Sequence, residues 1–416
     1  MSQDLFPRVI DRMLEGELLP EFPAVFVVGP RGCGKSTSMG QFADTILDLS
    51  IPGVRTAALE DPDGVLAASF GRVLIDEWQE VPEILGAVKR AVDASPPSIP
   101  GRFIVTGSVR AAYQAATWPG TGRLIRARMY GLTQGELERN NTYNPIEALF
   151  AGSELEHGWS DLKRSDYLSR IVAGRFPDVV GRSERGRSRW FDSYIEQLVD
   201  RDAAQLADGN PRPRKLRAVL SSCAARTGQE LNKGATADDA DVARGTADSY
   251  LSLLEDLSIV VRIPSWHNKR LRRLNRSPKI HIVDPGLAAH LLNADETVLG
   301  RDATLVGQLF ETFVVAELMT HLETVQEATE LFHFRNRDGI EVDVILERRG
   351  QVVGLEVKSS MSVDRTDARG LIWLRDRLKD DFLHGAVLYS GEIPFRIDER
   401  IWAAPLSSLW RDPANQ

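Results

Sequence analysis

The sequence predicts an α/β protein in three parts, and three observations carry that reading. An apolar run, Ala24 to Val28, breaks into a loop holding three glycines and restarts at Lys35 as a helix. From about Trp159 to Asp284 apolar residues recur at helical spacing and then give way to two short β-type runs. From Leu331 to Lys358 apolar and polar residues alternate, and the alternation gathers acids and a lysine. The expected boundaries are 1–150 for a parallel-sheet domain, 151–295 for a helical middle and 296–416 for a second α/β domain.

Composition bounds the partners. The chain has 416 residues, 43% of them hydrophobic and 26% charged, as in ordinary globular proteins. A net charge of −8 leaves nucleic-acid binding to local patches. Two cysteines, Cys33 and Cys223, are too few and too far apart for a disulfide framework and fit a reducing compartment. No apolar run reaches the roughly 20 residues that cross a bilayer, and Met1 to Pro20 reads as an amphipathic helix without a secretory core. The expected location is cytoplasmic, with no membrane partner.

The loop Gly29-Pro30-Arg31-Gly32-Cys33-Gly34-Lys35-Ser36-Thr37 has the spacing G-x-x-x-x-G-K-S, with a strand before it and a helix after it. Glycines at 29, 32 and 34 let successive N–H groups curl round a phosphate chain that faces the positive end of the helix dipole. Lys35 is placed to neutralise the β- and γ-phosphates of ATP, and the Ser36 hydroxyl to ligate Mg²⁺. Cys33 reads as a small residue at a variable loop position.

The helix after the loop is expected over Lys35–Leu49 and a second strand over Val54–Leu59. The run Val73-Leu74-Ile75-Asp76-Glu77 then delivers Asp76 at the carboxyl end of a strand, where a phosphate loop needs an acid to hold Mg²⁺ through water. Glu77 follows as a general base for the attacking water. A further strand, Arg102 to Ser108, ends in Thr106 and Ser108, either of which would sense the γ-phosphate. Arg123 reads either as an arginine that stabilises transferring phosphoryl charge, in its own site or in a neighbouring copy, or as a surface arginine.

These stretches, with Leu132-Thr133-Gln134-Gly135-Glu136 and Gly174-Arg175-Phe176-Pro177 after them, resemble the prokaryotic AAA-type ATPases that carry a C-terminal domain of unknown function. The likeness runs along nearly the whole chain. It implies a P-loop NTPase (AAA-like) first domain and leaves the cellular role open.

In the middle, helices are expected over Ser165–Ala173, Trp190–Ala207 and Pro213–Thr227. A helix-turn-helix over 236–257 and a hairpin of Ile259–Ile263 with Pro278–Val283 follow. Helix, helix and hairpin in that order read as a winged helix. Between the hairpin strands lies a basic segment with Lys269, Arg270, Arg272, Arg273 and Arg276. On an acidic chain it suits the phosphate backbone of nucleic acid, DNA being favoured, or else forms a solvated loop or docks an acidic domain.

In the last part, Gly307–Leu318 is an apolar helix carrying Glu311. Strand alternation puts Glu341 with Asp343 on one face, and Glu356 with Lys358 on theirs. Asp343 and Glu356 could then converge on one Mg²⁺ or Mn²⁺ with Lys358 beside it. This arrangement resembles the Asp…Glu-x-Lys core of restriction-endonuclease-like phosphodiesterases, in which Glu311 would be an accessory metal acid. Members of that fold either cut nucleic acid or only bind it. The whole chain is therefore expected to be an ATPase coupled to nucleic acid. Its C-terminal domain would cleave DNA with metal, or would recognise DNA or a protein in a nucleotide-dependent switch.

Overall fold

The computed structural model describes residues 5–94, 99–107, 123–152, 159–199, 203, 212–267 and 277–411. The chain divides into two compact units, Met1–Leu132 with Asp256–Ser258, and Thr133–Glu255 with Ile259–Gln416. The middle and C-terminal segments thus lie in one unit.

The first unit is a parallel sheet of β1 (Ala24–Val28), β2 (Thr45–Asp48), β3 (Val73–Asp76), β4 (Phe103–Gly107) and β5 (Leu124–Arg128), in the order β2-β3-β4-β1-β5. Its central strands read as unbroken apolar runs because both faces are covered. Ala24, Phe26, Val28, Val73, Ile75, Phe103 and Val105 pack into one core with Leu66, Ile84 and Val88. The alternate residues Val25, Val27, Leu74 and Ile104 pack into a second core with Ile10, Leu14 and Met39. Strand β4 lies between β1 and β3, so the loop after β1 and the acids after β3 flank it at the carboxyl edge.

Two expected elements differ. The helix starting at Lys35 ends at Gly40 (α1, Lys35–Gly40), and Thr45–Asp48 instead pairs in parallel with Val73–Asp76. Residues 54–59 lie inside a helix (α2, Pro52–Glu60) rather than a strand. Pro52 presets its first turn, and Ala57, Ala58 and Leu59 are better helix than strand formers.

In the second unit, α3 (Arg164–Ala173) and α4 (Glu184–Gln197) precede α5 (Pro213–Ala225). Helix α4 starts six residues before its expected beginning at Trp190, because the Ser183 hydroxyl accepts from Gly186 N–H at 3.3 Å and caps it. Then come β6 (Gln229–Glu230), α6 (Lys233–Asp239), α7 (Arg244–Asp256), β7 (Val260–Ile263) and β8 (Lys279–Ile282). The strands form a small antiparallel sheet ordered β6-β8-β7.

Helix α8 (Ala303–Leu322) is the one helix among the described residues long and apolar enough to cross a membrane, and it is mostly buried in this unit. Strands β9 (Glu330–Arg335), β10 (Glu341–Arg348), β11 (Gln351–Lys358), β12 (Phe382–Tyr389), β13 (Phe395–Asp398) and β14 (Ile401–Pro405) form a mixed sheet ordered β13-β14-β12-β11-β10-β9. Helix α9 (Arg369–Leu378) covers it through Leu371, Leu374 and Leu378.

Candidate functional site

The phosphate loop is built to stay open. A Cβ on Gly29 would stand 1.9 Å from the Met129 carbonyl oxygen, so only glycine lets the loop leave β1 beside β5. Gly34, at φ 97°, turns the chain left-handed into α1. Lys35 Nζ donates to the carbonyls of Gly29 and Pro30, both at 2.9 Å, which folds the ammonium over the loop. The buried Cys33 thiol donates to Met129 O at 3.3 Å, which makes it a packing residue. Arg8, 2% exposed, donates to Cys33 O at 2.9 Å and Tyr130 O at 2.7 Å. It braces the loop from the N-terminal segment, 25 residues upstream of Cys33, where no sequence signal marks it.

Across β4, Asp76 Oδ1 accepts from the Thr106 hydroxyl and from Glu77 N–H, the latter at 3.2 Å. Ser36 at the start of α1 and Asp76 at the end of β3 are the residues that would hold Mg²⁺, and the pinning of Asp76 through one oxygen suits that task. The fully buried Thr106 donates its hydroxyl to Asp76 and so orients the acid that would hold Mg²⁺. Ser108 lies outside the described residues.

Glu77 sits in a left-handed conformation (φ 54°, ψ 45°), and its carboxylate accepts from the Gln79 side-chain amide. Burial raises its affinity for a proton above the usual carboxylate range against the pull of Lys35. Gln79 is a contact that sequence reasoning missed.

Of the roles expected for Arg123, the strand register excludes only the one in its own phosphate site. The arginine precedes β5, whose register sets Leu124 against Ala24 and Arg128 against Val28, so Arg123 stands at the amino edge of the sheet. That is about 20 Å of strand from the level of Gly29. Its Nε lies 2.5 Å from Asp93 Oδ1. It cannot serve its own phosphate site from there; Arg128 is the strand residue that the register puts level with the loop.

In the second unit, β10 and β11 pair with Val344 opposite Leu355, and continuing that register sets Asp343 opposite Glu356. Asp343 Oδ2 accepts from Val357 N–H at 2.9 Å, and Lys358 Nζ lies 2.8 Å from Glu356 Oε1. Glu311 of α8 joins them, so the expected residues do come together.

The centre of the cluster holds a residue that the sequence did not suggest. Lys279 of β8, 2% exposed, puts its ammonium 2.8 Å from Glu311, 2.9 Å from Glu341 and 3.2 Å from Asp343. Burial alone would push this amine down, yet Glu311, Asp343 and Glu341 hold it well above its ordinary value. Burial and the nearby Asp343 push Glu356 up to about 8 against the pull of Lys358. Burial likewise drives Glu311 up and His281 well down, so the histidine is neutral.

The expectation of one divalent ion shared by Glu311, Asp343 and Glu356 does not fit this arrangement. The Asp343 oxygens are taken by Lys279 and by Val357 N–H, and a cation already stands among the acids. Among the described residues no group of three or more His, Cys, Asp or Glu side chains is set to hold a metal. Lys269, Arg270, Arg272, Arg273 and Arg276 lie outside the described residues.

Comparison with known proteins matches three separate segments of the chain. Residues 21–138 match the family described as AAA domain. The first unit is an AAA-type P-loop ATPase domain. The match supports ATP binding and hydrolysis by this domain, and the family implies Mg²⁺ with the nucleotide. Residues 164–298 match a domain of unknown function (DUF8612), and residues 306–409 another (DUF4143). Over 394 residues, 93% of this chain and 81% of theirs, the sequence is 28% identical to two uncharacterized proteins, Rv2008c of Mycobacterium tuberculosis and Mb2031c of Mycobacterium bovis. Among solved structures, the Walker-type ATPase PABY2304 of Pyrococcus abyssi is similar at 15% identity and a TM-score of 0.43, covering 70% of this chain and 97% of that one.

Proposed function

We propose that the chain is an ATP-driven, cytoplasmic switch that engages DNA. Its C-terminal domain, restriction-endonuclease-like in fold, recognises a partner rather than cutting it. The observation that carries this reading is Lys279, whose ammonium sits among Glu311, Glu341 and Asp343 where a cutting site needs a metal. In the ATPase domain Lys35 neutralises the phosphates, Ser36 and Asp76 hold Mg²⁺, and Glu77 polarises the attacking water. If the chain assembles with copies of itself, Arg123 is available to a neighbour.

DNA binding is assigned to the module running from α5 to β8. The order helix, strand, helix, helix, hairpin, with β6 outside β8, supports a winged-helix reading. The basic segment at 269–276 supplies charge for the phosphate backbone. Glu replacements at Arg270, Arg272 and Arg273 should weaken binding to any duplex and flatten its salt dependence, as a salt titration would show. Unchanged binding would move the segment to a protein contact.

Metal-dependent cleavage is the second reading, favoured by Asp343, Glu356 and Lys358 lying side by side on adjacent strands. Products from a labelled duplex with ATP and Mn²⁺, lost in Lys358→Ala, would establish it over the first.

A further inference from the structure

The acidic pocket contains more ligand chemistry than Lys279 uses. Four carboxylates face it, Glu311, Glu341, Asp343 and Glu356, against the two ammonium groups of Lys279 and Lys358. Arg335 touches its rim at 3.8 Å from Glu341 and is shared with Glu230 at 3.9 Å. His281 and His333 line it as neutral rings.

Three buried atoms there have no hydrogen-bond partner: the second oxygen of Glu356, a residue 9% exposed, Nδ1 of His333, and Nε2 of His281, 1% exposed. That nitrogen lies 3.6 Å from Glu311. Its other ring nitrogen meets the Thr312 hydroxyl at 3.1 Å, which fixes the ring so that Nε2 points inward. Unspent oxygen and imidazole atoms among several carboxyl groups are the donors a divalent transition metal takes. Buried polar atoms are seldom left unpartnered without cause.

We infer that Lys279 is the resident cation of a latent divalent-metal site: its ammonium stands in for the ion, and the pocket takes Mn²⁺ only when that charge is removed. The ammonium touches acids from two elements of the C-terminal domain, α8 and β10, while itself belonging to β8 of the small sheet. A dication placed at contact distance from it would meet repulsion that the acids alone would not present. Removing the charge while keeping the volume leaves several buried acids without a counter-ion, and such acids either take protons or recruit a cation. The inference does not depend on whether the chain binds DNA.

The test uses the full chain without nucleotide, titrated with MnCl₂ alone and read by the electron paramagnetic resonance of free Mn²⁺ and by thermal unfolding. Parental protein and Lys279→Arg should hold no Mn²⁺ that Asp343→Asn removes. Lys279→Met should gain one Mn²⁺ per chain and a Mn²⁺-dependent rise in Tm, both abolished by adding Asp343→Asn. Retention of an Asp343-dependent Mn²⁺ by the parental protein or by Lys279→Arg would overturn the inference. So would a Lys279→Met protein that gains no metal, or one that stays unfolded whatever the Mn²⁺ concentration.

Discussion

Gln79 donates its side-chain amide to the carboxylate of Glu77, two residues away, across a backbone that turns left-handed at Glu77. The bond fixes the direction of a carboxylate that burial already makes more basic than usual. Glu77→Gln keeps the shape and removes the base, so ATP should still bind while turnover falls by about 10²–10⁴-fold. Gln79→Ala loosens the aim without removing the group and should lower kcat about tenfold, the worth of one charged hydrogen bond. Single-turnover hydrolysis with a separate nucleotide-binding measurement distinguishes the two. A parental rate in Glu77→Gln would shift the base elsewhere, Glu80 being the next acid along the chain although it is paired with Arg55 at 3.0 Å.

The phosphate loop and its strand were legible because local chemistry fixes them: glycine at close backbone approaches, lysine and serine at a helix start, acids at a strand end. The alternation in β10 and β11 was legible for the same reason, and it correctly put Glu341 with Asp343 and Glu356 with Lys358. Lys279 was not. It lies 32 residues before Glu311 on a strand of another sheet, and a lysine between Pro278 and Ile280 has no periodicity to betray burial. Residues 45–48 were read as the end of a helix because Ile46 and Leu47 fit either period. Only pairing with β3, a contact distant in sequence, selects the strand.

Arg175 and Glu317 form the most deeply buried ion pair of the second unit among its described residues, 3.3 Å apart and 1% and 0% exposed. Arg175 also donates to the Thr320 hydroxyl at 2.8 Å, and Glu317 accepts from Gln134 N–H at 3.1 Å. The pair therefore ties the loop after α3 and the stretch around Gln134 to the centre of α8. Deleting either side chain leaves a buried charge, so Arg175→Ala and Glu317→Ala should each cost about 3–5 kcal/mol. An Arg175→Met, Glu317→Leu double replacement should cost much less than the two single losses added together, because no charge is stranded. Denaturant unfolding of the three variants tests this; additive losses would mean that the pair is not coupled.

His321, one turn beyond Glu317 on α8, is 2% exposed, and neither ring nitrogen has a hydrogen-bond partner. Burial first, and the charge of Arg175 second, lower its proton affinity to about 3. The sign follows from linkage. In the unfolded chain an imidazole takes a proton near pH 6.5, whereas here it does not until about pH 3, so the unfolded state binds more protons between those values. Stability should therefore be unaffected by this group above pH 6.5 and fall as the pH drops below it, by at most about 1.4 kcal/mol per pH unit. His321→Leu keeps a similar volume, removes an unsatisfied ring N–H whose burial costs about 1–3 kcal/mol, and removes the proton uptake. The variant should be at least as stable as the parent at pH 8 and should exceed it by a wider margin at pH 5. His333 and His384, each held near 4 by burial, keep their own acid dependence, so the slope should shrink by one proton's worth and not vanish. Thermal unfolding at the two pH values decides the matter: an equal difference at both would show that His321 already finds a proton or a partner in the folded chain.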